Sequence, residues 1–395
     1  MRKTIVSLFL ISFFLLPTVN AQENTATNRQ SFYIKPYVTN VAVNKAEIIW
    51  LEAIKANPAK VYIAGKPDLT SVSRIKEIKG CEKVIHITTL KGLQQNTVYE
   101  YRIDKGKKGF SGSFKTLASK DTLLNFVIYG DTRTLWWRHK KVAKQIAKNK
   151  PDFVVCSGDL VSNGNKFKQW KKQFFTPASA YLNKTVIWPV RGNHERNGYY
   201  FHELFNTNNE KDYYSFDSGN LHIIILDQYS SKDDYKQLYK WLEEDLKKNT
   251  SLWTIITYHK PTFNIGGHGS EWGRDKFLPL FEKYGVDVIV TGHSHLYERF
   301  KPISVTGVKP IIHIVSGGGG APLYWAKKSS LLEGGIGKRT LHHLNFKING
   351  NVLKMSAINQ HGHIFDEMVL VKENDIYQQE IMKKTLSFDD VKNNE

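Results

Sequence analysis

The strongest constraint in this sequence is a pattern that recurs five times. A short apolar run stops at a glycine or turn, and a residue able to bind a metal follows at once. Residues 126–129 end in Gly130-Asp131, and residues 153–155 lead through Cys156-Ser157 into Gly158-Asp159. Residues 186–190 run into Gly192-Asn193-His194-Glu195, residues 253–257 into Tyr258-His259, and residues 286–290 into Thr291-Gly292-His293-Ser294-His295. Apolar runs this short, bounded by turn residues, read as buried parallel strands. In an open α/β sheet, ligands collect at the carboxyl ends of the strands, so the five loops are expected to meet at one crevice. Two Asp, one Asn and three His then supply hard oxygen and borderline nitrogen donors, a set suited to divalent or trivalent first-row metals. The glycine ahead of His293 lets the backbone turn sharply, and a period of two aims His293 and His295 the same way.

The ordered series Gly130-Asp131, Gly158-Asp159, Gly192-Asn193-His194-Glu195, His259 and Gly292-His293-Ser294-His295 resembles the calcineurin-like metallophosphoesterase family. The extension Leu296-Tyr297-Glu298-Arg299, with an all-β stretch ahead of the motifs, is similar to its purple acid phosphatase branch. The resemblance implies a dinuclear site of iron, zinc or manganese. It gives Asp131 and His295 to one ion and Asn193, His259 and His293 to the other, with Asp159 bridging both. A carboxylate there offsets part of the repulsion between the ions, and a water between them is acidified enough to provide hydroxide. His194 resembles the family residue that contacts the phosphate or protonates the leaving oxygen, and imidazole chemistry suits that task. His268, within Gly266-Gly267-His268-Gly269, lies where purple acid phosphatases carry substrate-facing histidines.

Two departures stand out. Arg133 occupies a position where the family usually has His or Gly, and a guanidinium offers only donors. Two roles remain open for it, a bidentate grip on a phosphate oxygen or a pairing with a nearby carboxylate. Ser162 stands where the purple enzymes have a ligating Tyr, which removes the expectation of a purple charge-transfer band and puts a preference for iron in doubt.

Residues 1–21 read as a signal peptide: Arg2 and Lys3 precede an apolar core too short to span a bilayer, and small residues end at Ala21. No Cys lies near the cleavage point, so a lipid anchor is not expected and the mature protein is expected to be secreted or periplasmic. Residues 31–118 carry short strands separated by turn residues, the pattern of an immunoglobulin- or fibronectin-like sandwich. Residues 123–371 are expected to form the metallophosphoesterase domain, a two-sheet α/β sandwich with helices outside, and residues 372–395 a polar tail. Within that domain, strands near 221–226, 310–315, 341–348 and 352–358 suggest an antiparallel second part. The two Cys in 395 residues are expected to stay unpaired.

The net charge of +19, from 56 Lys and Arg against 37 Asp and Glu, raises the local concentration of anions such as phosphate esters. No compact basic tract with interleaved aromatics marks a dedicated nucleic-acid partner, and no membrane span is expected. The expected function is therefore an exported, metal-dependent phosphomonoesterase acting on small phosphate esters through a metal-bound hydroxide. The alternatives are a phosphodiesterase or nucleotidase of the same fold, and a binding module whose catalytic site has decayed. Oligomeric state is not legible.

Overall fold

The computed structural model describes residues 32–105, 109–118, 122–207, 212–229, 234–325, 335–373 and 376–380. The expected signal peptide, residues 119–121 between the two expected domains and the tail beyond residue 380 lie outside the described residues.

The amino-terminal segment is all β. Its first four strands are β1 (Ile34–Thr39), β2 (Lys45–Ala53), β3 (Lys60–Ile63) and β4 (Lys66–Val72). The next four are β5 (Arg74–Glu77), β6 (Lys83–Lys91), β7 (Val98–Ile103) and β8 (Phe110–Lys115). One layer has the order β4-β3-β7-β8 and the other contains β1-β2-β6-β5. Ile48 and Trp50 of the second layer share a core with Val61, Tyr101 and Phe114 of the first. β4 and β5 are largely exposed, so no apolar face marks them in the sequence.

Beyond residue 122 strand and helix alternate. β9 (Leu124–Tyr129), helix α1 (Trp136–Asn149), β10 (Phe153–Cys156) and β11 (Val186–Pro189) come first. A second group comprises β12 (Tyr214–Ser218), β13 (Leu221–Ile225), β14 (Trp253–Thr257), β15 (Val288–Thr291), β16 (Tyr297–Arg299), β17 (Ile312–Ser316) and β18 (Ile336–Lys338). The chain closes with β19 (His342–Asn349), β20 (Val352–Asn359), β21 (Ile364–Glu373) and β22 (Ile376–Glu380).

Two sheets result, one ordered β22-β21-β20-β19-β9-β10-β11-β1-β2-β6-β5 and one β12-β13-β14-β15-β17-β16-β18. Period-two alternation builds the sandwich between them. Phe126 and Ile128 of β9 pack into a core shared with Trp253 and Ile255 of β14, while Val127 and Tyr129 face α1. Ile256 and Tyr258 face the outer helices of the other side, Asp234–Lys248 and Leu278–Lys283.

Three features differ from the sequence reading. First, β1 pairs in parallel with β11 at Val38↔Val186, so the first sheet runs across the expected boundary near residues 118–123. Second, β13 and β17 do not join β19 and β20 in one antiparallel part, although each has one antiparallel neighbour, β12 and β16. β13 and β17 lie parallel to β14 and β15, whereas β19 and β20 extend the first sheet beside β9. Hydrophobic periodicity fixes which face of a strand is buried, not which strand it joins. Third, the tail expected from residue 372 begins with a strand, because β22 pairs antiparallel with β21. Among the described residues no helix is long and apolar enough to cross a membrane.

Candidate metal centre

The carboxyl ends of β9, β10 and β11 in the first sheet and of β14 and β15 in the second deliver the five loops to one place. The approach is too close for side chains at the glycines. A Cβ on Gly158 would lie 2.5 Å from His259 Nδ1, and one on Gly292 would lie 2.5 Å from Asp131 Oδ2. Asp131, Asp159 and His293 themselves adopt the left-handed backbone region, with φ of 59°, 54° and 66°. Non-glycine residues rarely hold that conformation unless the surroundings impose it, and such strain gathers at functional sites.

The donor atoms fall into two clusters. In the first, His259 Nε2 lies 3.1 Å from Asn193 Oδ1, 3.3 Å from Asp159 Oδ1 and 3.3 Å from His293 Nδ1. In the second, His295 Nε2 lies 3.4 Å from Asp131 Oδ1, with Asp159 completing a group whose ligand atoms lie within 4.8 Å of one another. Asp159 belongs to both clusters.

Outer contacts fix the histidines. The His259 Nδ1–H donates to the Ser157 carbonyl at 2.9 Å and the His295 Nδ1–H to the Pro322 carbonyl at 2.8 Å, leaving each Nε2 lone pair facing inward. His194 is held the same way, Nδ1 to the Ser162 carbonyl at 2.6 Å, with Nε2 3.8 Å from Asp159 Oδ2. Glu195 ties the loops together: its carboxylate accepts the backbone N–H of Asp159, Leu160 and Gly192 at 3.0, 2.8 and 2.7 Å.

The residues fit a pair of cations. Two inward imidazole nitrogens 3.3 Å apart repel unless a proton or an ion lies between them, and the buried Asp131 Oδ1 has no hydrogen-bond partner among the described residues. Charge balance points the same way. Burial disfavours the charged form of His259, yet Asp159 and Asp131 raise it to about 9. Burial and the charge on His259 push His293 down to about 3. Asp159, despite burial, is held below the usual carboxylate range by His259 and His194. Burial and neighbouring Asp159 push Glu195 up to about 7. The field that holds a proton on His259 is one that would hold a metal ion.

Arg133 lies inside the second cluster, its Nε 3.3 Å from Asp159 Oδ2 and its Nη2 3.3 Å from His295 Nε2. His268 stands at the exposed rim, its ring 5.3 Å from His293 and its Nε2 hydrogen-bonded at 2.9 Å to the Tyr324 hydroxyl. Tyr324 stacks on the ligand-type His295 at 4.3 Å and 14°. Glu298 accepts the N–H of Gly266 at 2.8 Å, so the segment after the histidine pair anchors the loop that carries His268. Arg299 grips buried Asp366 through two bonds at 2.7 and 2.8 Å.

Sequence reasoning missed two residues. Gln173 sits in a π-helical turn, Trp170–Phe175, and its Oε1 accepts the N–H of Thr134 at 3.1 Å and of Ser162 at 2.8 Å, linking the first two motif loops. The Ser162 hydroxyl is engaged with Gln173 and Thr134, at 3.0 and 2.9 Å. Tyr229 lies beside His259, ring centres 6.4 Å apart, and its buried hydroxyl has no hydrogen-bond partner among the described residues. Burial and the carboxylates of Asp159, Glu195, Asp227 and Asp131 raise its pKa, which keeps it a neutral donor. Neither residue follows a strand-plus-glycine signal.

Comparison with known proteins agrees with this architecture. Residues 124–297 match the calcineurin-like phosphoesterase family. Purple acid phosphatase 18 of Arabidopsis thaliana is 30% identical over 287 residues, covering 67% of this chain and 64% of the relative. A phosphoenolpyruvate phosphatase of Allium cepa is 29% identical over 251 residues, 56% of this chain and 51% of the relative. The chain thus spans less than two thirds of the length of these curated relatives. In fold it is similar to the purple acid phosphatase PPD1 of yellow lupin (Lupinus luteus), with a TM-score of 0.73 at 18% identity over 86% of this chain and 74% of that one.

Proposed function

From a chain that carries a calcineurin-like phosphoesterase domain over residues 124–297, we propose an exported, metal-dependent phosphatase acting on small phosphate monoesters. The observation that carries this reading is Asp159, which belongs to both donor clusters, its Oδ1 3.3 Å from His259 Nε2 and its Oδ2 3.3 Å from Arg133 Nε. Asn193, His259 and His293 would hold one ion, Asp131 and His295 the other, and Asp159 both. When bound, such a pair supplies Lewis-acid activation of water and of the phosphoryl oxygens. Export rests on the composition of residues 1–21.

The chain's own groups do the rest. Water attacks phosphorus opposite the ester oxygen, the P–O bond to the leaving group breaks, and the departing oxygen takes a proton. His194, as the imidazolium with Nδ1–H on the Ser162 carbonyl, is placed to give it from Nε2, and the proton released by the attacking water restores the ring through solvent. Arg133 and the neutral hydroxyl of Tyr229 stabilise negative charge on the phosphoryl oxygens as donors. His268 and Tyr324 orient the substrate at the rim.

The test is hydrolysis of p-nitrophenyl phosphate and bis(p-nitrophenyl) phosphate by metal-reconstituted protein. We expect turnover of the monoester, lost in Asp159→Ala; faster turnover of the diester would move the assignment to a phosphodiesterase. Inertness of the wild type towards both would remove the reading. The position of Arg133 within the second cluster favours one other reading, a binding module that keeps a single ion and no turnover.

A further inference from the structure

The cation in the second cluster stands on strained backbone. Arg133 is followed by Thr134, whose φ is 73°, a value uncommon for any non-glycine residue and an outlier for a β-branched one. The Leu135 N–H donates to the Arg133 carbonyl at 3.0 Å, so Thr134 is the centre of a three-residue turn. With a positive central φ this is the rare, strained form of that turn, and it persists only where the surroundings impose it. A buried polar brace does so here. Gln173 Oε1 accepts the Thr134 N–H at 3.1 Å, and the same oxygen accepts the N–H and hydroxyl of Ser162 at 2.8 and 3.0 Å. The Thr134 and Ser162 hydroxyls pair at 2.9 Å. From behind, the Nδ1–H of buried His139 on α1 donates to the Gln173 carbonyl at 2.9 Å, which ties the π-helical turn Trp170–Phe175 to the helix that follows Arg133. Irregular turns of this kind gather at functional sites.

We propose that Gln173 and Thr134 are positioning residues for Arg133. By holding the turn they keep the guanidinium 3.3 Å from both Asp159 Oδ2 and His295 Nε2, where it meets a phosphate oxygen and opposes the second ion. Without the brace Thr134 would relax to a negative φ and reorient the peptide that links it to Arg133. Ser162 belongs to the same brace, so the two departures seen in the sequence, Arg133 and Ser162, form one device. The role in phosphate binding rests on the phosphatase reading above; the placement of the side chain does not.

The test combines p-nitrophenyl phosphate kinetics with zinc titration of the second metal equivalent, in the wild type, Gln173→Met, Arg133→Ala and the double variant. Gln173→Met keeps the bulk of the side chain and loses the acceptor. It should raise KM about tenfold while kcat changes far less, and tighten the second zinc by about tenfold. Arg133→Ala should shift both readouts in the same directions, and adding Gln173→Met to it should change neither further. Additive effects, a fall in kcat at unchanged KM, or a loss of zinc would overturn the proposal, since each marks a general support of the loops. Thermal midpoints report whether Gln173→Met folds. If it does not, Thr134→Val, which loses only the hydroxyl bond to Ser162, takes its place; the same directions are expected at smaller size, and unchanged values overturn the proposal. If the wild type hydrolyses no ester, the phosphatase reading fails and a crystal structure of the folded variant decides the placement. Arg133 displaced from Asp159 and His295 supports it, and Arg133 in its wild-type position overturns it.

Discussion

The two donor clusters share Asp159 and little else. Around His259 two oxygens and a second imidazole lie within 3.3 Å of one nitrogen, and the charge of Lys260 is felt only at His293 beside it. Around His295 there are Asp131, Asp159 and the guanidinium of Arg133, which lies 3.3 Å from both the histidine nitrogen and an Asp159 oxygen. The difference teaches that a pair of metal positions need not be equivalent. The first is built by the protein alone, whereas the second sets a fixed cation against any ion that enters. Under the proposed function, Arg133 would serve as the phosphate's partner at the cost of affinity for the second metal.

Four perturbations break or sharpen that contrast. Asp159→Ala removes the shared ligand and should abolish both turnover and the second equivalent of metal, read by elemental analysis and p-nitrophenyl phosphate assay; retention of two ions would dissolve the idea of a common bridge. His194→Gln spares both clusters and should lower kcat by about 10²–10⁴-fold with metal content intact, so a loss of metal would move His194 from proton donor to structural support. Arg133→His should tighten the second ion by about tenfold or more while raising KM for the ester. An unchanged metal titration would show that Arg133 does not compete.

The smallest effect lies away from both clusters and serves as a control for the fold. His222 on β13 bonds Asp217 at 2.7 Å and Asp245 at 2.8 Å. Burial works against its charge, but those partners raise it to about 9. Because the folded value exceeds the unfolded one, this contribution is fully present below about pH 6.5 and is lost as pH rises through about 9. Allowing for solvent around exposed Asp217, the difference is about 2 kcal/mol. Chemical denaturation across that window should show the decline in the wild type and a flatter profile in His222→Gln, and a flat wild type would contradict it.

The convergence of the six donor residues was legible because each depends on a local rule: a buried strand, a glycine or turn at its end, and a donor close behind. Gly158 and Gly292 illustrate it, since each admits a neighbouring ligand-type side chain at a distance a Cβ would block. Gln173 and Tyr229 obey no such rule. One is aimed by a π turn inside a helical run, the other by a loop whose only mark is proximity in three dimensions. The sheet that crosses from β1 to β11 was hidden for a related reason, because strand partnership between residues 38 and 186 is a long-range choice that alternation cannot encode. The all-β amino-terminal segment and the two-sheet α/β sandwich, by contrast, follow from turn spacing and apolar runs and are present.

The most direct measurement is a crystal structure of metal-loaded protein with anomalous scattering used to locate the ions. The account predicts two, roughly 3.5–4 Å apart, with Asp159 between them, His259, His293 and Asn193 on one, and Asp131 and His295 on the other at lower occupancy. Ions bound elsewhere, or an Asp159 that touches neither, would contradict it.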